Sequence, residues 1–217
     1  LSTSIMKKAS EKNLVKYQIL NLFDFTNKPH NKIDGYPFGG GDGMILKPEP
    51  VFRAIEKIKN KKNMKVIFPT PDGDLFTQEV AKNFSCEKNI VFICGHYKGI
   101  DQRVRDEIVT HEYSIGDFVL TGGELPSLIM CDSIVRLLPN VLGKMNSALT
   151  DSFYNLLLDG PHYTRPEIFR GIKVPDILLS GNHQKIRNWF LSKREDKTKI
   201  RRKDLWKKYL SKLEDGV

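Results

Sequence analysis

The chain has 217 residues, 40% of them hydrophobic and 28% charged, so it can bury a core as one domain or as one domain with a small partner. Its 35 Lys and Arg residues exceed its 26 Asp and Glu residues, and the formal charge of +9 makes nucleic acid a candidate partner. The three cysteines form no CxxC pair, which excludes a disulfide framework and a thiolate zinc site. Because no apolar run approaches the roughly 20 residues that span a bilayer, we expect a cytoplasmic protein without a membrane partner.

Short apolar runs alternate with helical patterns over the first two thirds of the chain. Buried strands are predicted at Val15–Phe23, Met64–Phe68, Asn89–Cys94 and Phe118–Thr121. Helices are predicted at Ser4–Asn13, Pro50–Asn60, Leu75–Phe84, Arg103–Val109 and Glu124–Leu138. In the last helix, the spacing predicts burial of Leu125, Leu128, Ile129, Ile134, Val135 and Leu138. The alternation predicts an α/β fold with a parallel sheet.

The sequence changes in character after Gly143. Residues 144–165 are rich in small and polar side chains and predict a linker, and residues 166–217 predict a small basic helical domain with helices at Asn182–Leu191 and Lys203–Leu213. The segment Ser192–Val217 holds ten basic and five acidic residues. Clustered cations release counterions from a phosphate backbone, which favours nucleic acid, although a solvated Lys-rich surface has the same composition.

Four glycine-rich stretches are candidate ligand loops: GYPFGGGDGM from Gly35, PTPDGD from Pro69, CGHYKGIDQR from Cys94 and SIGDFVLTGGELP from Ser114. Each by itself is typical of a tight turn. Three of them follow predicted strands, and in an open parallel sheet such loops meet at one edge and present their backbone to a ligand. The sequence contains no GxxxxGK[ST], GxGxxG, HExxH or GxSxG motif, which excludes the ordinary phosphate, dinucleotide, zinc-protease and serine-hydrolase sites.

These strings resemble the bacterial tRNA (guanine-N1)-methyltransferase family, a branch of the SPOUT methyltransferases. The resemblance also includes DSFYNLLLDGPHYTRPEIFRG from Asp151 and VPDILLSGNHQKIRNW from Val174, and it extends from about Ser4 to the end of the chain. It implies a trefoil-knotted parallel sheet in residues 1–143 and a tRNA-binding domain in residues 166–217. Since the family usually begins with a strand ending in Phe-Pro, we expect the first strand of the sheet to be missing from this sequence.

The resemblance implies methyl transfer from S-adenosylmethionine to N1 of the guanosine immediately 3′ of the anticodon. It also implies a homodimer and makes Mg²⁺ a candidate ion, with no metal ligands identified. The family's cofactor pocket corresponds here to Phe68, Pro71, Gly95, Ser114, Ile115, Gly116, Phe118, Leu120, Gly122, Gly123 and Pro126.

The chemistry requires a base, because guanine N1 carries a proton at neutral pH. The resemblance assigns this role to Asp151, assigns stabilisation of the charge that develops on guanine O6 to Arg136, and places Ser147 as a supporting polar residue. Without the resemblance, Arg136 could equally be a cation at a helix C-terminus and Asp151 a helix N-cap.

Two other functions are compatible with the same sequence. One is an RNA-binding relative that has the fold without turnover, and the other is a SPOUT enzyme that methylates ribose. The assay that separates them is given below with the proposed function.

Overall fold

The computed structural model describes residues 4–27, 32–58, 63–142, 151–153 and 155–214. The chain divides into two compact units, Leu1–Gly143 and Lys144–Val217. Ser147 and the rest of residues 144–150 lie outside the described residues.

The described part of the first unit alternates helices with strands. In chain order these are α1 (Ser4–Glu11), β1 (Asp34–Gly35), β2 (Ile45–Leu46), α2 (Pro48–Lys57), β3 (Lys65–Leu75), α3 (Gln78–Phe84), β4 (Ile90–Phe92), α4 (Gln102–Glu107), β5 (His111–Ser114) and α5 (Glu124–Val135). A short 3-10 turn at Leu22–Phe25 begins after Asn21, whose side chain accepts a hydrogen bond from the backbone N–H of Phe23.

A parallel sheet lies at the centre of this unit, with β3 between β4 and β5. Ile67 pairs with Phe92 on one side and with His111 on the other. Val66, Ile67 and Phe68 are all buried, so this strand is covered on both faces, as is usual for a parallel sheet. The predicted α/β fold with a parallel sheet is therefore confirmed.

Helices supply the cover on each face. Val104 of α4 is buried in one cluster with Val66, and Met130 of α5 is buried in a second cluster with Ile67. Because successive side chains of a strand point to opposite faces, the neighbours Val66 and Ile67 belong to different clusters. Burying each such side chain stabilises the fold by about 1.5–3 kcal/mol.

Two of the four predicted strands are wrong. Val15–Phe23 pairs with no strand in the described part of the chain; Val15 and Tyr17 instead pack beside α1 and α5. Phe118–Thr121 is a loop, and its side chains are largely exposed. The strand on that side of β3 is His111–Ser114, which the polar sequence HEYS did not predict and which forms because its backbone pairs with β3.

The stretch PTPDGD is also not a simple loop after a strand. It continues β3 through a bulge, so that Tyr113 of β5 pairs with both Pro69 and Asp74. The four residues between those positions leave the ladder and rejoin it. At Gly73 a Cβ atom would lie 2.6 Å from the backbone of Glu112, so the bulge needs glycine for close approach.

The predicted helices of the first unit are present, with ends shifted by a few residues. The predicted helix Leu75–Phe84 begins only at Gln78, because the Thr77 side chain accepts a hydrogen bond from the backbone N–H of Val80 and caps the helix there.

Helix α5 differs from its prediction in which residues it buries. Ile134 and Val135 are buried as expected, whereas Leu125, Leu128 and Ile129 are exposed in this single chain. The apolar residues surround the helix rather than forming one stripe, so one face stays uncovered within the unit.

The second unit is a hairpin followed by helices. It contains β6 (Ile168–Phe169) and β7 (Ile172–Lys173), which pair antiparallel, then α6 (Asp176–Leu179), α7 (His183–Arg201) and α8 (Lys203–Glu214). Helix α7 starts after Asn182, whose side chain accepts a hydrogen bond from the Lys185 N–H, and it continues ten residues past the predicted end at Leu191. Among the described residues, no helix has the length and apolar character required to cross a membrane.

Candidate ligand pocket and catalytic residues

One pocket of the first unit lies beside the bulge of β3 and the ends of β4 and β5. All eleven residues predicted to hold the cofactor line it, together with nine others: Pro69, Thr70, His96, Tyr97, Lys98, Gly99, Tyr113, Val119 and Thr121. The carboxyl edge of a parallel sheet is where such folds bind ligands, because the loops there expose backbone groups. The prediction omitted Thr70, which lies in the bulge of β3, and Tyr113, which lies in the unpredicted strand β5.

Glycine permits the close approach of two segments of the pocket wall. The backbone N–H of Gly123 donates a 2.8 Å hydrogen bond to the carbonyl of Gly95. A Cβ atom at Gly123 would lie 2.7 Å from the Gly95 nitrogen, and one at Gly95 would lie 2.8 Å from the Phe68 ring. The wall is therefore built from backbone at van der Waals distance, with no room for side chains.

A short contact between a histidine and a carboxylate joins the same wall. His96 and Gly122 form an antiparallel bridge, and Nε2 of His96 lies 2.5 Å from Oε1 of Glu124 in the first turn of α5. A carboxylate at that position interacts favourably with the helix dipole. The contact holds the loop after β4 against the start of α5.

Arg105 packs against Phe68, one of the residues that line the pocket. Its Nε and Nη2 atoms donate to the Glu112 carboxylate at 2.7 and 2.6 Å, and Nη2 also donates to Asp72 at 2.8 Å. The guanidinium lies 5.5 Å from the centre of the Phe68 ring. Hydrogen bonds from the Thr70 hydroxyl and from Arg105 lower the pKa of Asp72, so the ion pairs hold at neutral pH.

Two ionisable groups at and next to the pocket have raised pKa values. Burial raises the pKa of Tyr113, and burial raises the pKa of the Cys94 thiol against the opposing effect of its hydrogen bond with Ser127. Tyr113 and the Cys94 thiol are therefore uncharged at neutral pH, and with Phe68 and Ile115 the neutral Tyr113 gives the pocket an apolar part that suits a flat, uncharged ring such as a purine.

The predicted catalytic residues lie in different units. Arg136 is the C-cap of α5 in the first unit and is half-buried. Asp151 is half-buried in the second unit, and Ser147 falls outside the described residues. Within the described part of the chain, no three His, Cys, Asp or Glu side chains converge as they would around a metal ion.

Comparison with known proteins gives a consistent result. A sequence profile of the family described as tRNA (Guanine-1)-methyltransferase TrmD matches residues 1–208. A tRNA (guanine-N(1)-)-methyltransferase of Bacillus subtilis is 50% identical over 209 residues, which cover 95% of this chain and 86% of the relative. Proteins of the same name from Brevibacillus brevis and Staphylococcus carnosus are 51% and 49% identical, over 96% and 99% of this chain and 86% and 88% of theirs.

Proposed function

The chain belongs to the tRNA (guanine-1)-methyltransferase family, and on that premise we propose that it methylates N1 of the guanosine immediately 3′ of the anticodon in tRNA. The observation that carries the proposal is that all eleven residues matched to the family's cofactor site line one pocket. We further propose that the reaction takes place in the cytoplasm.

The pocket fits S-adenosylmethionine, the methyl donor that a methyltransferase family implies. The walls are backbone at Gly95 and Gly123, which leaves main-chain groups to hydrogen-bond an adenine edge. Ile115 and Leu120 line the same space and supply apolar contacts for the ring. When bound there, the cofactor supplies a methyl group on a positively charged sulfur.

Asp151 and Arg136 have complementary tasks in the proposed reaction. A carboxylate at Asp151 takes the proton from guanine N1, which frees the ring nitrogen's lone pair. The guanidinium of Arg136 donates hydrogen bonds to guanine O6, where negative charge develops as that proton leaves. Ser147 is proposed to support the substrate as a polar residue of the linker.

The second unit is proposed to hold the tRNA backbone. Helix α7 alone carries seven basic and two acidic residues, and its basic side chains Lys193, Lys199 and Arg201 are exposed. Exposed cations clustered on one helix attract a phosphate backbone and release its counterions on binding. The target base lies in a loop, where unpaired bases offer their Watson–Crick edges to a protein.

We also propose the homodimer and the trefoil knot that the family implies. An uncovered apolar surface supports the dimer: Leu125, Leu128 and Ile129 of α5 are 59%, 41% and 50% exposed, and Val119 in the pocket loop is 82% exposed. Monomeric proteins rarely leave such a group of large apolar side chains in water. A dependence on Mg²⁺ is proposed from the family alone, and adding a chelator to the assay tests it.

The activity is tested with purified protein, labelled S-adenosylmethionine and unmodified tRNA that carries either G or A after the anticodon. We expect label only in the G transcript, at N1 of the base. Asp151→Asn should lose turnover while cofactor affinity stays unchanged, because the amide cannot accept the proton. Label on ribose would instead identify a ribose methyltransferase, and tRNA binding without transfer would identify an RNA-binding relative.

A further inference from the structure

The segment that carries the proposed base is fastened to helix α7 by side chains of that helix. This segment, called the base segment, comprises residues 151–153 and 155–160. It lies in the same compact unit as α7. Its only fully buried large side chain among the described positions is Leu157, which is 1% exposed. Hydrogen bonds between side chains of α7 and the segment's backbone join the two.

Thr198 makes the central contact. It is completely buried, and its hydroxyl donates a 2.7 Å hydrogen bond to the carbonyl of Arg194, one turn earlier in α7. Because the hydroxyl proton is used in that bond, the Thr198 oxygen acts as an acceptor and takes a 2.8 Å hydrogen bond from the backbone N–H of Leu158. A hydroxyl usually bonds only within its own helix in this arrangement, and here it also joins the helix to another segment.

Two basic side chains of α7 grip the same stretch of backbone. Nζ of Lys197 donates to the carbonyl of Asp159 at 2.7 Å, and Nε of Arg194 donates to the carbonyl of Leu158 at 3.3 Å. At the residue after α7, the guanidinium of Arg202 lies 5.7 Å from the ring centre of Phe153. Helix α7 and its C-cap residue Arg202 therefore contact the base segment at Phe153, Leu158 and Asp159.

Hydrogen bonds within the base segment connect the part that α7 contacts, around Leu158, to the part that contains Asp151. The hydroxyl of Ser152, the next residue after Asp151, accepts a 2.9 Å hydrogen bond from the N–H of Asp159. The N–H of Phe153 donates to the carbonyl of Leu157 at 2.9 Å. These bonds close a compact turn, and Asp151 lies at its start.

We propose that Thr198 is a positioning residue for methyl transfer: it fastens the base segment to α7, so that the helix with the exposed cations also sets the placement of Asp151. The inference rests on the proposed role of Asp151. Binding of tRNA to α7 would then bring the base with it, since the two form one piece. A displacement of a catalytic group by about 1 Å can slow a reaction by about 100-fold, so loss of the Thr198 contact is expected to slow methyl transfer.

The test compares Thr198→Val with Thr198→Ser in the full-length protein. Valine keeps the branched shape and removes the hydroxyl, whereas serine keeps the hydroxyl. We expect Thr198→Val to lower the single-turnover methylation rate by about 10-fold or more, with the dissociation constants for tRNA and for S-adenosylmethionine within about twofold of wild type. Thr198→Ser should restore most of the rate. Amide exchange at Leu158 should be faster in Thr198→Val alone.

Ser152→Ala provides a second variant, because Ser152 is only half-buried and its loss leaves α7 intact. We expect the same pattern, a slower step with unchanged affinities. A wild-type rate in Thr198→Val would overturn the inference, as would a loss of rate matched by an equal loss of tRNA affinity.

A double-mutant cycle separates this inference from the proposed function. In an Asp151→Asn background, Thr198→Val should not lower the residual single-turnover rate any further, because Thr198 acts through Asp151. A further slowing by the same factor would overturn the positioning role. A fully active Asp151→Asn protein would instead overturn the proposed base, whereas an inactive Asp151→Asn protein with an active Thr198→Val protein would overturn the fastening alone.

Discussion

A single methyl group added at Gly123 should open the wall of the pocket. The Cβ atom of alanine would lie 2.7 Å from the Gly95 nitrogen and 2.8 Å from the Cα atom of Cys94. Ordinary contacts begin at 3.4 Å, so the two segments must separate by about 0.7 Å in a tightly packed region. The backbone of Gly123 has φ −80° and ψ −4°, which alanine adopts without strain. The effect of Gly123→Ala is therefore steric.

The free energy of the change follows from that displacement. A separation of about 0.7 Å would stretch the hydrogen bond from the Gly123 N–H to Gly95 from 2.8 Å to about 3.5 Å, beyond the normal range. Overpacking costs about 1–3 kcal/mol and the lost hydrogen bond about 1 kcal/mol, while the stiffer unfolded chain offsets about 0.4–1 kcal/mol. We expect Gly123→Ala to lower the free energy of unfolding by about 2 kcal/mol.

Urea unfolding and calorimetric titration with S-adenosylmethionine measure the two consequences. We expect cofactor affinity to fall by about 10-fold, equivalent to about 1.4 kcal/mol, because the displaced loops form the proposed binding wall. Gly35→Ala is the matched control, since its Cβ would meet only the flexible end of Lys47, at 3.2 Å. A Gly123→Ala protein with the stability and cofactor affinity of wild type would refute this account of the wall.

Two further predictions concern titration and thiol chemistry. Hydrogen bonds from Thr70 and Arg105 lower the pKa of Asp72. The stabilisation that they give is therefore present above the unfolded-state pKa of about 4 and is lost as pH falls through the lower pKa of the folded state. Asp72→Asn should flatten the decline of the urea midpoint below about pH 4, and an unchanged decline would contradict the assignment. Burial raises the pKa of Cys131 to about 11, whereas Cys86 is exposed. A thiol reagent at about pH 8 should therefore react first at Cys86, and the fast phase of thiol modification should disappear in Cys86→Ser.

Several elements could be predicted from the sequence because their signals are local. The apolar runs Met64–Phe68 and Asn89–Cys94 correspond to β3 and β4, and helix α5 begins at Glu124 as predicted. A strand that helices cover on both faces has apolar side chains at consecutive positions, so the sequence alone indicates it. The family resemblance was equally local, since it depended on short strings of unusual composition, and the comparisons confirmed it.

Other features depended on partners far away in the chain. His111–Ser114 is a strand because β3 offers its free edge, and the more apolar run Phe118–Thr121 is an exposed pocket loop. Strand formation needs a neighbour to accept the backbone hydrogen bonds, and a single segment does not show whether one is available.

What the sequence by itself determined was the α/β alternation, the basic helical end of the chain and, through the family resemblance, eleven of the residues around the pocket. Only the tertiary structure decided which of them meet. Thr198 lies among charged residues of α7, and nothing in that pattern predicts its complete burial or the hydrogen bond that it accepts from the N–H of Leu158. Contacts between segments distant in sequence are chosen by shape and by hydrogen-bond partners in three dimensions, and a one-dimensional pattern contains neither.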